Sequence, residues 1–202
     1  MWALVTDGNI TKIINQPKGM VIGDTRHSRN IFSFRWSEAE REAIGIYSVV
    51  FDNTNRKDEA YYTNTNQTFA FADGAVTASY GSATALALAD TLFTAQDEVD
   101  GKGTEGEVAA TGLKSRHKEK IKQQASSLLT NYDWYVIRKA DAGTAVPSAV
   151  TTYRAAVRTK SGEMETLIDN AANVDALAAL YEYTRQEDGS FTRPLGEFPE
   201  AV

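Results

Sequence analysis

The chain has 202 residues, a net charge of −6 and no cysteine. Because cysteine is absent, disulfides, thiolate metal sites and cysteine nucleophiles are excluded, and the length allows one large domain or two small ones. The negative charge is concentrated in the first 110 residues, which argues against a general nucleic-acid partner. No apolar run approaches the roughly 20 residues that span a bilayer, and the opening M-W-A-L-V-T-D-G lacks the features of a signal peptide.

Residues 1–93 have the pattern of a mainly antiparallel β domain. Two alternating segments flank Asp7-Gly8, which is a strong hairpin signal, and Asp73-Gly74 marks a second turn. Ser37 and Glu40 have the spacing of a capping box and predict a short helix. The β-branched and aromatic segments predict a small sheet whose aromatic residues form the core. A sugar-stacking surface is the alternative interpretation of those aromatics.

Residues 94–111 are acidic and rich in glycine, and they predict a mobile interdomain linker. Five residues also match positions 3, 5, 6, 9 and 12 of a calcium-binding loop, namely Glu98, Asp100, Gly101, Thr104 and Glu107. Position 1 holds Gln96, however, where the loop needs a carboxylate. The linker interpretation requires fewer assumptions, and the calcium loop stays as an alternative.

Residues 112–183 predict a helical hairpin. Apolar residues recur every three or four positions from Leu113 to Tyr132 and again from Val146 to Ala171. Pro147 suits the first turn of the second helix, and a short connection between two amphipathic helices favours antiparallel packing. Residues 184–202 have no periodicity, so they predict an extended tail that is ordered only against another surface.

The connection between the two helices contains the residues of greatest interest. We expect Trp134 to fill the open end of the hairpin and Asp133 to end the first helix, with Arg138 following them in the connection. Arg154 and Arg158 are four residues apart on one helix face, where like charges repel. Asp133 is the nearest anion that would relieve this repulsion, and a phosphate or a partner's carboxylate is the alternative.

No pattern in the chain indicates catalysis, a transition metal or a cofactor. His27 and His117 stand alone, without a second ligand at metal-binding spacing. The chain has no G-x-S-x-G element, and the segment from Gly101 to Thr104 lacks the spacing of a phosphate loop. We therefore expect a protein that is not an enzyme, although an enzyme of unrecognised type remains a third class of hypothesis.

The order of motifs around the connection resembles a known family. The pattern L-L-x-x-x-D-W, a short break, a proline and Y-R-x-x-x-R is similar to the C-terminal module of phage tail assembly chaperones, also called tail-fibre assembly proteins. The likeness covers about residues 113–173 and is carried by Leu128, Leu129, Asp133, Trp134, Pro147, Tyr153, Arg154, Ala156, Val157 and Arg158. The chain departs from the family pattern by continuing through residues 174–183 and by having no family motif in its first 110 residues.

The resemblance implies a non-enzymatic chaperone that binds a tail-fibre or other tail subunit in the host cytoplasm during assembly, without a cofactor. A homo-oligomer is compatible with this role, whereas a nucleic-acid or membrane partner is not expected. The candidate partner-binding or structural residues are Asp133, Trp134, Arg138, Pro147, Tyr153, Arg154 and Arg158. The alternative function is a virion structural protein of the tail or fibre tip that contacts host glycan through its N-terminal sheet.

Overall fold

The computed structural model describes residues 1–202 and shows an α+β protein, with a mainly β N-terminal region followed by helices. This confirms the fold class that the sequence predicts. The chain divides into two compact units, residues 1–84 and residues 85–202. The division therefore falls earlier than the predicted end of the β domain at residue 93.

The first unit is built on a five-stranded sheet. Its elements are β1 (Trp2–Thr6), β2 (Asn9–Ile14), β3 (Met20–Ile22), β4 (Thr25–His27), a 3-10 helix (Arg29–Phe32), α1 (Glu38–Glu42), β5 (Ile46–Asp52), β6 (Tyr62–Thr63), β7 (Thr68–Ala72) and β8 (Ala75–Ser79). The strand order is β2-β1-β5-β8-β7, and every neighbouring pair is antiparallel except β5 and β8. The two outer strands, β2 and β7, approach each other, so the sheet is curled.

The turns of this sheet follow the sequence signals. Asp7 and Gly8 have φ angles of 51° and 75°, and Asp73 and Gly74 have 51° and 74°. Positive φ at both central residues is the conformation that matches the twist of a two-residue hairpin. Both predicted hairpins are therefore present, and the predicted capping box between Ser37 and Glu40 forms as well.

The sheet packs apolar residues on both faces. One cluster contains Ala3, Val5, Val49, Val76 and Ala78, and the other contains Ile14, Met20, Ile31 and Ile46. Alternate residues of β1 enter different clusters, because successive side chains of a strand point to opposite faces. The aromatic rings of Trp2, Phe32 and Trp36 pack against the second cluster.

The segment predicted as a mobile linker is folded. After β9 (Thr84–Ala85) at the unit boundary, β10 (Thr91–Leu92) and β11 (Val108–Ala110) pair as antiparallel strands on either side of α2 (Ala95–Val99). Thr94 and Asp97 form a capping box at the start of α2. The glycines and acidic residues that suggested a linker therefore make turns and a helix cap.

The calcium-loop pattern in this segment uses its carboxylates internally. Lys102 Nζ lies 3.0 Å from a carboxylate oxygen of both Asp97 and Asp100, and Glu98 accepts a hydrogen bond from the Glu105 N–H. An ammonium group therefore stands beside the carboxylate that a calcium ion would need. No group of three or more potential metal-ligating side chains comes together in the structure.

The second unit is mainly helical. It contains α3 (Leu113–Thr130), α4 (Asp133–Ala142), α5 (Ser148–Asn170), α6 (Val174–Ala179) and a small hairpin of β12 (Thr184–Arg185) and β13 (Phe191–Thr192). The helices α3 and α5 pack together as the predicted hairpin, with Ile121, Val157, Met164 and Ile168 fully buried. Helix α5 runs without interruption through Gly162. None of the helices is long and apolar enough to cross a membrane.

The connection and the tail differ from their predictions. Asp133 does not end the first helix; α3 ends at Thr130, and Asp133 begins α4, where a carboxylate is favoured by the helix dipole. The tail is not extended throughout, because it contains the β12–β13 hairpin; beyond the hairpin it is ordered against its own unit, since Leu195 is fully buried and its N–H donates to the Leu180 carbonyl. Phe198 packs against the α3–α5 core.

Candidate partner-binding site

The start of α4 is tied to α5 by an ion pair. Arg154 is buried, its guanidinium Nη1 lies 2.8 Å from Asp133 Oδ1 in an ion pair, and the same nitrogen donates a hydrogen bond of 2.8 Å to the Leu129 carbonyl. The Leu129 carbonyl, in the last turn of α3, also accepts the Tyr132 N–H at 3.0 Å, so the guanidinium adds a second donor at the end of this helix. Asp133 is the anionic neighbour of the arginines that the sequence indicated, and the pair fixes where α4 leaves the hairpin.

A cleft of about 410 Å³ runs along the surface of α3 and α5 beside this ion pair. Its lining residues are Lys122, Ala125, Ser126, Leu129, Thr130, Asp133, Arg154, Arg158, Ser161, Gly162 and Glu165. Lys122 lies 3.4 Å from Glu165 and Arg154 is paired with Asp133, whereas Arg158 has no ion pair. The cleft therefore has one cation that is available to a carboxylate from outside the chain.

The structure brings Asp133, Arg154 and Arg158 together, as the motif spacing indicates, and adds two residues that the sequence analysis missed. Lys122 faces the cleft from α3, and Glu165 faces it from α5. The position of Lys122 beside the apolar face of the first helix could have predicted that it lies near the hairpin's surface cleft. Glu165 follows Arg158 by two helical turns, and this spacing predicts that both side chains lie on the same side of α5.

Tyr153 and Pro147 have structural roles. Tyr153 is buried between α3 and α5, with its ring centroid 5.1 Å from that of Tyr132. Its hydroxyl has no hydrogen-bond partner, and burial raises the pKa of the Tyr153 phenol. Pro147 precedes the first residue of α5, and its carbonyl accepts the Thr151 N–H, which opens the helix.

Trp134 does not lie between α3 and α5, and that prediction is wrong. The side chain is on α4 and 50% exposed. Its ring packs on Tyr135, with centroids 4.0 Å apart, and the Arg138 guanidinium lies 4.5 Å from its centroid. The space that Trp134 was expected to fill is taken by Tyr132, which packs against the α3–α5 core together with Phe198 from the tail.

Helix α4 is exposed on most of its surface. None of its residues is buried, and its apolar side chains Val136 and Ile137 are 45% and 66% exposed. Trp134, Ile137 and Arg138 lie on one side of the helix, and we call these three residues together the α4 surface. Soluble chains seldom place so many apolar side chains on one exposed helix without a use for them.

Comparisons with known protein families, with characterised proteins and with solved structures found no match for this chain. The family resemblance therefore rests on the motif residues alone.

Proposed function

We propose that the chain is a non-enzymatic chaperone for a phage tail or tail-fibre subunit, and that it acts in the host cytoplasm during tail assembly. The observation that carries the proposal is the α4 surface, which presents Trp134 and Ile137 to solvent. This surface lies within the part of the chain that resembles the family. A chaperone needs an apolar surface of this kind to cover the apolar surface of an unassembled subunit.

The composition of the α4 surface suits protein recognition. Tryptophan and arginine are the residues most enriched among those that dominate binding energy at protein interfaces. Arg138 lies over the rings of both Trp134 and Tyr135, which limits the rotamer freedom that binding would otherwise have to remove. The α4 surface is therefore partly ordered before a partner arrives.

The cleft adds a polar element to the same site. Asp133, the first residue of α4, also lines the cleft in which Arg158 is unpaired. A client segment that places apolar side chains on α4 and a carboxylate on Arg158 would use both surfaces at once. We therefore expect the client segment to be apolar with at least one acidic residue.

The test is capture of a tail subunit during co-expression. The chain is expressed with the tail or fibre subunit encoded beside it, and the complex is recovered through a tag on the chain. The variant Ile137→Ser removes apolar area from α4, and Val99→Ser is the matched control, because Val99 is 80% exposed elsewhere in the same unit. We expect Ile137→Ser to reduce the recovered subunit about tenfold and Val99→Ser to leave it unchanged.

Two outcomes would contradict the proposal. Equal recovery of the subunit with both variants would show that α4 is not the binding surface. Detection of the chain in purified virions at a fixed ratio to a tail protein would favour the alternative, a structural protein of the tail or fibre tip.

A further inference from the structure

A polar groove in the first unit is independent of the proposed client site. Two depressions of about 500 Å³ and 300 Å³ adjoin each other, since Gln16 and Pro17 line both. The larger one reaches the 3-10 helix at Arg29, and the smaller one reaches Lys18. Both volumes are in the range of small-molecule sites, and together they form one groove along the loop that follows β2.

The groove is positively charged. Lys18 and Arg29 line it, and the backbone N–H of a further cationic residue, Arg35, donates to the Oγ of Ser33, which lines the groove. None of these three side chains has an ion pair, and no Asp or Glu lines the groove. In a chain with a net charge of −6, this local excess of cations attracts an anionic ligand.

The other polar groups of the groove are side-chain amides. Asn15, Gln16 and Asn30 lie along it, and their amides make no hydrogen bond within the chain. A carboxamide offers both donors and an acceptor, which matches the hydroxyl groups of a sugar, since each of these also donates and accepts. The amides therefore favour a polyhydroxylated ligand over a simple anion.

One aromatic ring, that of Phe32, lines the groove. Phe34 follows two residues later in the sequence, next to the groove-lining Ser33, and is 95% exposed. A phenylalanine with so little contact to its own protein adds nothing to the core, and exposed apolar groups are a feature of binding surfaces. Its ring offers an apolar face to the C–H side of a pyranose.

We propose that this groove binds an acidic oligosaccharide, with Lys18 and Arg29 on the carboxylates, the amides on the hydroxyls and Phe34 against a sugar ring. A single-stranded nucleic acid shares the negative charge. It would depend on a row of phosphate contacts and successive base stacking, whereas the groove has two lining cations and one lining aromatic ring.

Titration calorimetry of the full chain with an oligogalacturonate of defined length tests the proposal. We expect binding that weakens when the salt concentration rises, because exposed charges are screened. The methyl-esterified oligosaccharide keeps the hydroxyls and loses the charges, and it should not bind measurably. Arg29→Ala should weaken binding about tenfold, as for the loss of a charge-assisted hydrogen bond, and Phe34→Ala should weaken it as well.

The matched control is Arg56→Ala, which removes the same charge from another exposed position of the first unit, where Arg56 pairs with Glu59. It should bind like the unmodified chain. Equal binding of the methyl ester, equal loss of binding in the Arg29 and Arg56 variants, equally tight binding of a single-stranded oligodeoxynucleotide, or no binding of the acidic oligosaccharide at millimolar concentration would each overturn the proposal.

Discussion

Leu195→Ala is expected to destabilise the helical unit strongly. Leu195 lies near the end of the chain, yet its side chain is fully buried. Its backbone N–H donates to the Leu180 carbonyl at 3.0 Å, so the backbone is held in place and cannot collapse easily into the space that the mutation leaves. Leucine-to-alanine changes at such sites cost about 3 kcal/mol through lost transfer energy and cavity formation.

The melting temperature converts this cost into an observable. For a unit of the size of residues 85–202, each kcal/mol corresponds to about 4 °C, so the melting temperature of the helical unit should fall by about 12 °C. Circular dichroism at 222 nm follows this unit selectively, because every α-helix except the short α1 lies in it. Chemical denaturation gives the free energy of unfolding independently.

Phe191→Ala provides the control for Leu195→Ala. Phe191 belongs to the same tail but is 60% exposed, and substitutions at exposed positions usually change stability by about 0.5 kcal/mol or less. If the two variants melted at the same temperature, the tail would not be part of the core, and the reasoning from the burial of Leu195 would be refuted.

Three further predictions concern Trp134, Asp90 and Gly45. Trp134→Ala should lower the free energy of unfolding by less than about 1 kcal/mol in chemical denaturation, because the side chain is half exposed on α4; a loss above about 3 kcal/mol would indicate a core role. The Gly112 N–H and the Ser115 hydroxyl, both bonded to Asp90, hold the pKa of that carboxyl below its ordinary value. Asp90 therefore contributes stability above about pH 4 that is lost as the pH falls through its folded-state pKa. The difference in melting temperature between the unmodified chain and Asp90→Asn should become smaller from pH 6 to pH 3. A difference that stayed constant would contradict this. Gly45 has a φ of +82°, and a Cβ there would lie 2.6 Å from the Val5 carbonyl oxygen, so Gly45→Ala should destabilise the β unit by about 1–3 kcal/mol. Gly74 also has a positive φ but has open space around it, so Gly74→Ala should lower the free energy of unfolding by less. Thermal unfolding followed by near-UV circular dichroism compares the two variants, and equal losses would contradict the reasoning.

The sheet was predictable because its signals are local. These hairpin turns need positive φ at two successive residues, and few residue types tolerate it. Asp7-Gly8 and Asp73-Gly74 therefore identify the two hairpins whatever the order of the strands in the sheet. The parallel pairing of β5 with β8 has no such signal. It depends on how the unit closes around its two apolar clusters, which is a long-range property.

Residues 94–111 were misinterpreted because composition does not distinguish a linker from a compact turn. Glycines suit both a flexible chain and left-handed turn positions, and Gly101 and Gly106 occupy the latter with φ of 73° and 84°. Acidic residues likewise suit both solvated loops and helix caps. The capping box of Thr94 and Asp97 has the spacing that identified Ser37 and Glu40, so the same rule would have found it.

The error at Trp134 has a physical cause that bears on function. Tryptophan is highly buried on average, so a tryptophan between two amphipathic helices is assigned to the core by default. In this chain Tyr132 packs against the core beside Phe198 from the tail, and Phe198 is about 70 residues away in sequence and carries no periodic signal. Tyr132 and Phe198 occupy that space, and Trp134 lies half exposed on α4. Failure of a local rule at an exposed aromatic residue is a common feature of binding sites, which agrees with the role proposed for the α4 surface.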